Sequence, residues 1–318
     1  MKKIIFVSII CSLTLIFSNT INFKLRTMYI KADVDVRIKL NAFNKLLEEK
    51  LNSYDWKFPI NDFEHIETIV NINIEKSVSD DKYSGMITIS SGLTTKRTMS
   101  VPFNKDIYNE QEMTFSMDLD SDPDLDSRNP SAIETILRFY IYLSLGEIFD
   151  KLSYTDQKNF KLEGEYYYLQ LYEFENLISS AQERKNWRKR LEIINDLKQN
   201  KYIRQRKLNA FIYNATLFMN IGKSKRAKYF VEPIYKILKE DEKVDQETFF
   251  KNNYNALSEI FAFEPDTTYV NFLIKVDPAH KSNYLDKFNR KNKVRNNRAP
   301  RNNKLPNNDT NILEGSDR

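Results

Sequence analysis

The chain has 318 residues, 41% of them hydrophobic, so it can bury a sizeable core and form about two domains. A single cysteine, Cys11, excludes a disulfide scaffold and a thiolate metal centre. The net charge of +5 is unevenly placed: residues 289–318 hold eight basic and three acidic residues, and Lys2 and Lys3 add two more positive charges, which leaves 19–288 close to neutral.

The first segment, "MKKIIFVSIICSLTLIFSNT", sets two lysines before an apolar run from Ile4 to Phe17 and polar residues after it. That run suits a signal-peptide core and is short for a membrane span. The expectation is a signal peptide over residues 1–18, cleaved near Ser18, although Ile16 is large for the position two before the cut. An uncleaved anchor is one alternative. Lipidation of Cys11 is the other, but Ile9 and Ile10 stand where small residues belong.

"FKLRTMYIKA" reads as a strand with Phe23, Leu25, Thr27 and Tyr29 on one face. Ile38, Phe43, Leu46, Leu47, Leu51 and Tyr54 fall at helical spacing, which predicts an amphipathic helix over 37–54. In 64–76, Ile66, Val70, Ile72 and Ile74 alternate with His65, Glu67, Asn71, Asn73 and Glu75, the pattern of a half-buried antiparallel strand. "SVSDDKYSG" reads as a turn longer than two residues, after which Ile87 and Ile89 resume the buried face. A third strand falls near 94–102. A fourth, "EMTFSMDL", alternates Met113, Phe115, Met117 and Leu119. The first domain is therefore expected to be α+β over 20–128, an antiparallel sheet covered by the 37–54 helix.

"SAIE" reads as a capping box, with Ser131 capping and Glu134 reaching back. The helix it opens, "ILRFYIYLSLGEIF", is apolar nearly all round and belongs in a core. Ten such side chains represent roughly 15–30 kcal/mol of gross burial. From 165 to 288 nearly every window has helical period, and Gly222 reads as a C-cap. No 34-residue repeat recurs, so 129–288 is expected to be one all-helical bundle rather than a tetratricopeptide array. The Asn- and Arg-rich stretch 289–318 is expected to be a disordered basic tail.

The sequence offers little chemistry. The two histidines, His65 and His280, read as surface residues. There is no G-x-S-x-G elbow and no Gly-rich phosphate loop. Asp118, Asp120, Asp122, Asp124 and Asp126 could suit Ca²⁺, but Pro123 and Asn129 stand where an EF-hand needs Gly and Glu, which favours a solvated inter-domain linker. Tyr166, Tyr167, Tyr168, Tyr172 and Trp187 could form a platform for sugar or peptide, although core packing is the simpler reading. The tail lacks interleaved aromatics, which disfavours nucleic acid. Weak contact with anionic membrane suits it better, at about 1 kcal/mol per basic residue near the surface. No catalytic, cofactor-binding or metal-binding residue is assigned, and the chain is expected not to be an enzyme.

Several segments taken in order resemble the PorD family of the Bacteroidota type IX secretion system. "LLEEKLNSYDW", with Asn52 and Trp56, is similar to the Asn-x-x-x-Trp end of that family's first helix. "NINIEKSVSDDKYSGMITISSG" is similar to its S-x-D-x-Y-x-G-x-I-x-I-x-S hairpin. "SVPFNKD", "MTFSMDL", "RFYIYLSLG", "ISSAQERKNW" and "IKVDPAHKSNY" follow collinearly over about 22–285. "KNW" departs from the family's Gly-Trp, and the tail past 288 has no counterpart. The resemblance implies a non-enzymatic periplasmic protein at the outer membrane. Its partners would be translocon proteins, in a system that exports folded cargo and gliding adhesins. A periplasmic chaperone and a protein or enzyme acting on envelope polymer are the alternatives.

Overall fold

The computed structural model describes residues 21–57, 65–95, 99–101, 110–152, 162–177, 183–240 and 246–298. The fold is α+β, a mixed sheet with a helix followed by helices. Contacts divide the chain into two compact units, Met1–Phe211 and Ile212–Arg318. The division falls inside a helix, whereas the sequence boundary was placed at 128–129 on the change from strands to helices.

In the first unit, β1 (Ile21–Tyr29) leads into α1 (Val34–Ser53). β2 (His65–Ser79) and β3 (Lys82–Thr95) follow, then β4 (Met99–Val101) and β5 (Glu110–Ser116). The sheet order is β1-β2-β3-β4, and β5 also pairs with β3. β4 takes Leu93–Thr95 and β5 takes Lys82–Ile87. The sheet is not wholly antiparallel as expected: β1 runs parallel to β2, from Ile21 beside Ile66 to Tyr29 beside Ile74. The cause is the connection. A helix between two neighbouring strands returns the chain to its starting end, which is the parallel crossover arrangement.

The hairpin is also tighter than the sequence suggests. Pairing continues to Ser79 beside Lys82, which leaves a two-residue Asp80–Asp81 turn. Register shifts between Ile74 and Lys76 and between Ser77 and Ser79 take up the extra residues as bulges. Gly85 sits at the first of them, where a Cβ would lie 2.0 Å from the Asn73 carbonyl oxygen, so only glycine fits.

The inward face of the sheet carries Ile66, Val70, Ile72, Ile74, Ile87 and Ile89, all buried. α2 (Ile133–Leu152) is buried along almost its whole length, the central helix that its composition predicts. A chain of buried hydroxyls joins it to the sheet: Ser144 donates to Ser91 at 2.7 Å, and Ser91 lies 3.0 Å from Thr68. The capping box does not form as predicted. The helix begins at Ile133, and the Ser131 hydroxyl donates to Asn129 at 2.9 Å. Glu134 is buried and accepts from the backbone amide of Asp124 as well as its own. α3 (Glu165–Leu177) packs on α2, and α4 (Glu183–Leu197) packs on α3. α5 (Asn200–Asn220) runs across the unit boundary.

Burial pushes the Glu134 carboxyl above its ordinary value, against the pull of those two amides. The folded chain therefore holds this proton to higher pH than the unfolded chain does. Its stabilising contribution is full below the unfolded pKa and is lost as pH rises through the folded one. Glu134→Gln, uncharged throughout, is expected to unfold at a higher temperature than the parent at pH 7 and at the same temperature in acid below pH 4. A parent that matches the variant at pH 7 would contradict this.

In the second unit α6 (Ser224–Lys228), α7 (Val231–Glu240), α8 (Gln246–Phe261), α9 (Thr267–Val276) and α10 (Lys281–Arg298) follow α5. Gly222 caps α5 at φ 73°, with Lys223 N–H donating to the Phe218 carbonyl at 2.8 Å, as read from the sequence. The expectation of a disordered tail from 289 is corrected, because α10 continues to Arg298. Phe288 is buried, and Arg295 donates to the carbonyls of Ala262 and Phe263 just past the end of α8. A cation there meets unpaired carbonyls and the negative end of the helix dipole. Residues 299–318 lie outside the described residues.

Candidate interaction surface

Helix α1 carries three stripes at four-residue spacing, and each does something different. Phe43, Leu47 and Leu51, with Leu40, are buried against the sheet. Asn44, Glu48 and Asn52 face the edge of β1. Asn52 accepts from Phe23 N–H at 2.8 Å and returns its amide to the Phe23 carbonyl at 3.1 Å. Glu48 accepts from Leu25 N–H at 2.7 Å, and Asn44 accepts from the Thr27 hydroxyl at 2.8 Å. Asn52 and Glu48 thus occupy backbone positions of Phe23 and Leu25 that a neighbouring strand would use, which closes that part of the edge from within.

The third stripe, Val34, Ile38, Ala42 and Leu46, points outward and is exposed, with Val34 at 71% and Ile38 at 63%. Ile30, in the turn before the helix, is exposed as well, at 84%. This corrects the sequence reading, which placed Ile38 and Leu46 on the core face. Two apolar stripes run along the helix, and Leu40 rather than Ile38 completes the inner one. Charged residues border the outer stripe: Asp35, Arg37, Lys39, Lys45 and Glu49 are all exposed. An apolar stripe bordered by charged residues is a form that protein-binding faces take.

The other sequence candidates fall elsewhere. The Asp118–Asp126 segment is tied to the fold. Asp118 accepts from Ser121 and Asp120, which holds its carboxyl below the usual range. Asp120 pairs with Lys39, and Asp126 pairs with Arg138 at 3.2 Å. Leu125 is buried and its carbonyl accepts from Arg138 at 2.6 Å. No group of His, Cys, Asp or Glu among the described residues is placed to hold a metal. Tyr167 and Tyr168 are core residues. Tyr167 stacks on Phe149 at 4.9 Å, and Tyr168 lies beneath the Arg206 guanidinium at 4.0 Å. Tyr166 is exposed, Tyr172 is half-buried, and Trp187 is buried with its indole N–H on the Pro130 carbonyl at 2.7 Å. Cys11 and the side chain of His65 lie outside the described residues. No helix among the described residues is long and apolar enough to cross a membrane.

Two charged clusters escaped the sequence reading. In the first unit Arg206 grips Asp150 with two bonds, Nε at 2.5 Å and Nη2 at 3.0 Å, and reaches Glu165 at 2.8 Å. Gly164 N–H donates to Asp150 at 3.0 Å. Burial disfavours both charges, yet the Asp150 carboxylate keeps Arg206 firmly protonated, while burial raises Asp150 against the pull of the guanidinium. In the second unit Asp277 accepts from Tyr284 at 2.5 Å and lies 2.8 Å from His280 Nδ1. His280 stacks on Tyr254 at 4.0 Å. His280 is thus half-buried with partners on two sides, not the free surface residue expected. Both clusters satisfy buried polar groups, as interiors require.

No protein-family model, curated protein or solved structure matches the chain.

Proposed function

We propose that the chain is a non-enzymatic protein of the periplasm, held at the outer membrane. There it supports assembly or operation of the type IX translocon by binding other proteins. The observation that carries this reading is where the PorD-like residues sit. Asn52 clips the edge of β1, and Trp56 packs against Phe23 and Tyr142 with both ring centroids at 5.4 Å. A Cβ on Gly85 would meet the Asn73 carbonyl oxygen at 2.0 Å, and one on Gly146 would meet the Tyr168 ring at 2.7 Å. Trp187 ties α4 to the segment before α2, and Asp277 gathers His280 and Tyr284. The segments that resemble that family thus include packing joints of this fold, and their collinear order is what supports the reading. A fold with an apolar stripe left outside suits a protein that works by contact.

Such a protein should co-purify with its translocon partners. Affinity capture of the tagged chain from envelope fractions is expected to bring down outer-membrane components of the type IX system at physiological salt. Capture of abundant porins alone, at the level of an untagged control, would contradict the reading.

A further inference from the structure

We propose that the end of the second unit where α6 and α10 meet beside the C-terminus of α8 is a docking surface for anionic lipid. Three contacts bring these elements together. Lys228 of α6 pairs with Glu264 at 3.1 Å. Lys291 of α10 lies over the Phe263 ring at 4.5 Å. Arg295, one turn on, donates to the Ala262 and Phe263 carbonyls.

Charge is one-sided here. No acid occurs between Asp196 and Glu232. Lys223, Lys225 and Arg226 are exposed, with no acidic partner among the described residues. α10 sets seven basic residues against one acid, Asp286. The acids of α8 and the turn after it are already engaged, Glu259 by Lys287 at 2.6 Å and Glu264 by Lys228. Asp266 caps α9 through Thr268 N–H at 2.9 Å. Residues 299–318 hold three basic and three acidic residues, so the positive charge expected of a tail sits on a folded helix.

Two exposed apolar side chains favour lipid over nucleic acid. Tyr229, 56% exposed, follows Lys225 and Arg226 by one turn, and its backbone is still helical at φ −61°. Val294, 49% exposed, follows Arg290 and Lys291 by one turn. Residues three and four apart share a helix face, so each apolar side chain has two cations beside it. At a bilayer the cations take lipid phosphates, and a tyrosine sits at headgroup level. A nucleic-acid strand offers an aliphatic valine nothing, because stacking needs a ring. The proposal deepens the membrane attachment in the functional reading, but these residues alone carry it. Lipid binding can fail while translocon partners are still captured, and the reverse.

Tyr229→Trp in the full chain tests it, mixed at physiological salt with vesicles of phosphatidylglycerol and phosphatidylcholine in equal parts. Trp56 and Trp187 are buried, so a change in emission reports position 229. A blue shift is expected with these vesicles and none with phosphatidylcholine alone. Lys225→Gln with Arg226→Gln weakens vesicle binding about thirtyfold, the effect of two charges lost beside an anionic surface, and Arg290→Gln with Lys291→Gln does the same. The same loss of charge in the first unit, Lys76→Gln with Lys82→Gln, changes binding by less than about twofold, because salt screens charges away from the contact. Ending the chain at Arg298 also leaves binding at the parent value. All the substituted side chains are exposed, so an unchanged unfolding temperature is the control for folding. The proposal is overturned if either second-unit pair binds as the parent does, if the Lys76 and Lys82 pair loses as much, or if truncation at Arg298 abolishes binding. Binding without a blue shift would mark a phosphate-binding face that stays in water, as for a nucleic acid, and would overturn it too.

Discussion

Replacing Arg206 with methionine is expected to cost about 3–5 kcal/mol of folding stability, the usual consequence of removing one partner from a buried ion pair. Arg206 and Asp150 each expose only 4% of their side chains. Without the guanidinium, Asp150 keeps a single donor among the described residues, Gly164 N–H, for a charge held away from water. Glu165 loses its partner too, but it is half-exposed and water replaces the bond at little cost. For a unit of this size the loss appears as a fall of roughly 6–20 °C in unfolding temperature. Removing both charges, as in Arg206→Met with Asp150→Leu, is expected to cost less than Arg206→Met alone, because no orphaned charge remains. Thermal and urea unfolding of the three proteins decide this. A single replacement that costs under about 1 kcal/mol would show that the pair does not hold the helices together.

Gly164→Ala is the second large effect. A Cβ at Gly164 would stand 2.1 Å from the Gly146 carbonyl oxygen and 2.6 Å from Asp150 Oδ1. One obstacle is backbone in the middle of the central helix, and the other is the acceptor of the buried pair. Neither can retreat without breaking a contact elsewhere, so the segment before α3 must lift away from α2. The expected cost is about 3 kcal/mol, at the upper end of overpacking effects. Gly222→Ala offers the contrast. Gly222 has φ 73° but open space around its missing Cβ, so only the left-handed conformation is strained, at about 1 kcal/mol. Equal losses at the two glycines, measured by urea unfolding, would contradict the close approach at Gly164.

The sequence made the sheet faces and the central helix legible, because both are governed by a single strong periodicity. Ile66, Val70, Ile72 and Ile74 alternate without interruption, and "ILRFYIYLSLGEIF" leaves no polar face to solvate. Strand direction was not legible. Nothing local distinguishes a strand that will pair with its neighbour in parallel, and only the helix interposed between β1 and β2 settles it. The hairpin turn was misjudged because bulges absorbed residues that otherwise count as loop.

In α1 the difficulty was different. The outer stripe of Val34, Ile38, Ala42 and Leu46 and the inner stripe through Phe43, Leu47 and Leu51 share the same four-residue spacing. Periodicity alone cannot say which of them meets the sheet. The polar stripe between them was the available signal: Asn44, Glu48 and Asn52 sit beside the inner stripe, and hydrogen-bonding side chains at that spacing suit a strand edge. Arg206 was hidden in a basic stretch, "IRQRK", that reads as a solvated face. Its partner was the better clue, since Asp150 follows Gly146 by one turn on a helix whose surroundings are almost wholly apolar. The helix through 289–298 was missed because composition says nothing of tertiary anchors, and two of them, Phe288 and Arg295, hold it.

The most direct test of the proposed role is the fate of type IX cargo in a strain that lacks this chain. Cargo should fall in the medium and accumulate in the periplasm, while proteins exported only across the inner membrane reach the periplasm at parental levels. Restoring the chain should restore export. Cargo appearing in the medium at the parental level, with no periplasmic accumulation, would contradict a role in that system.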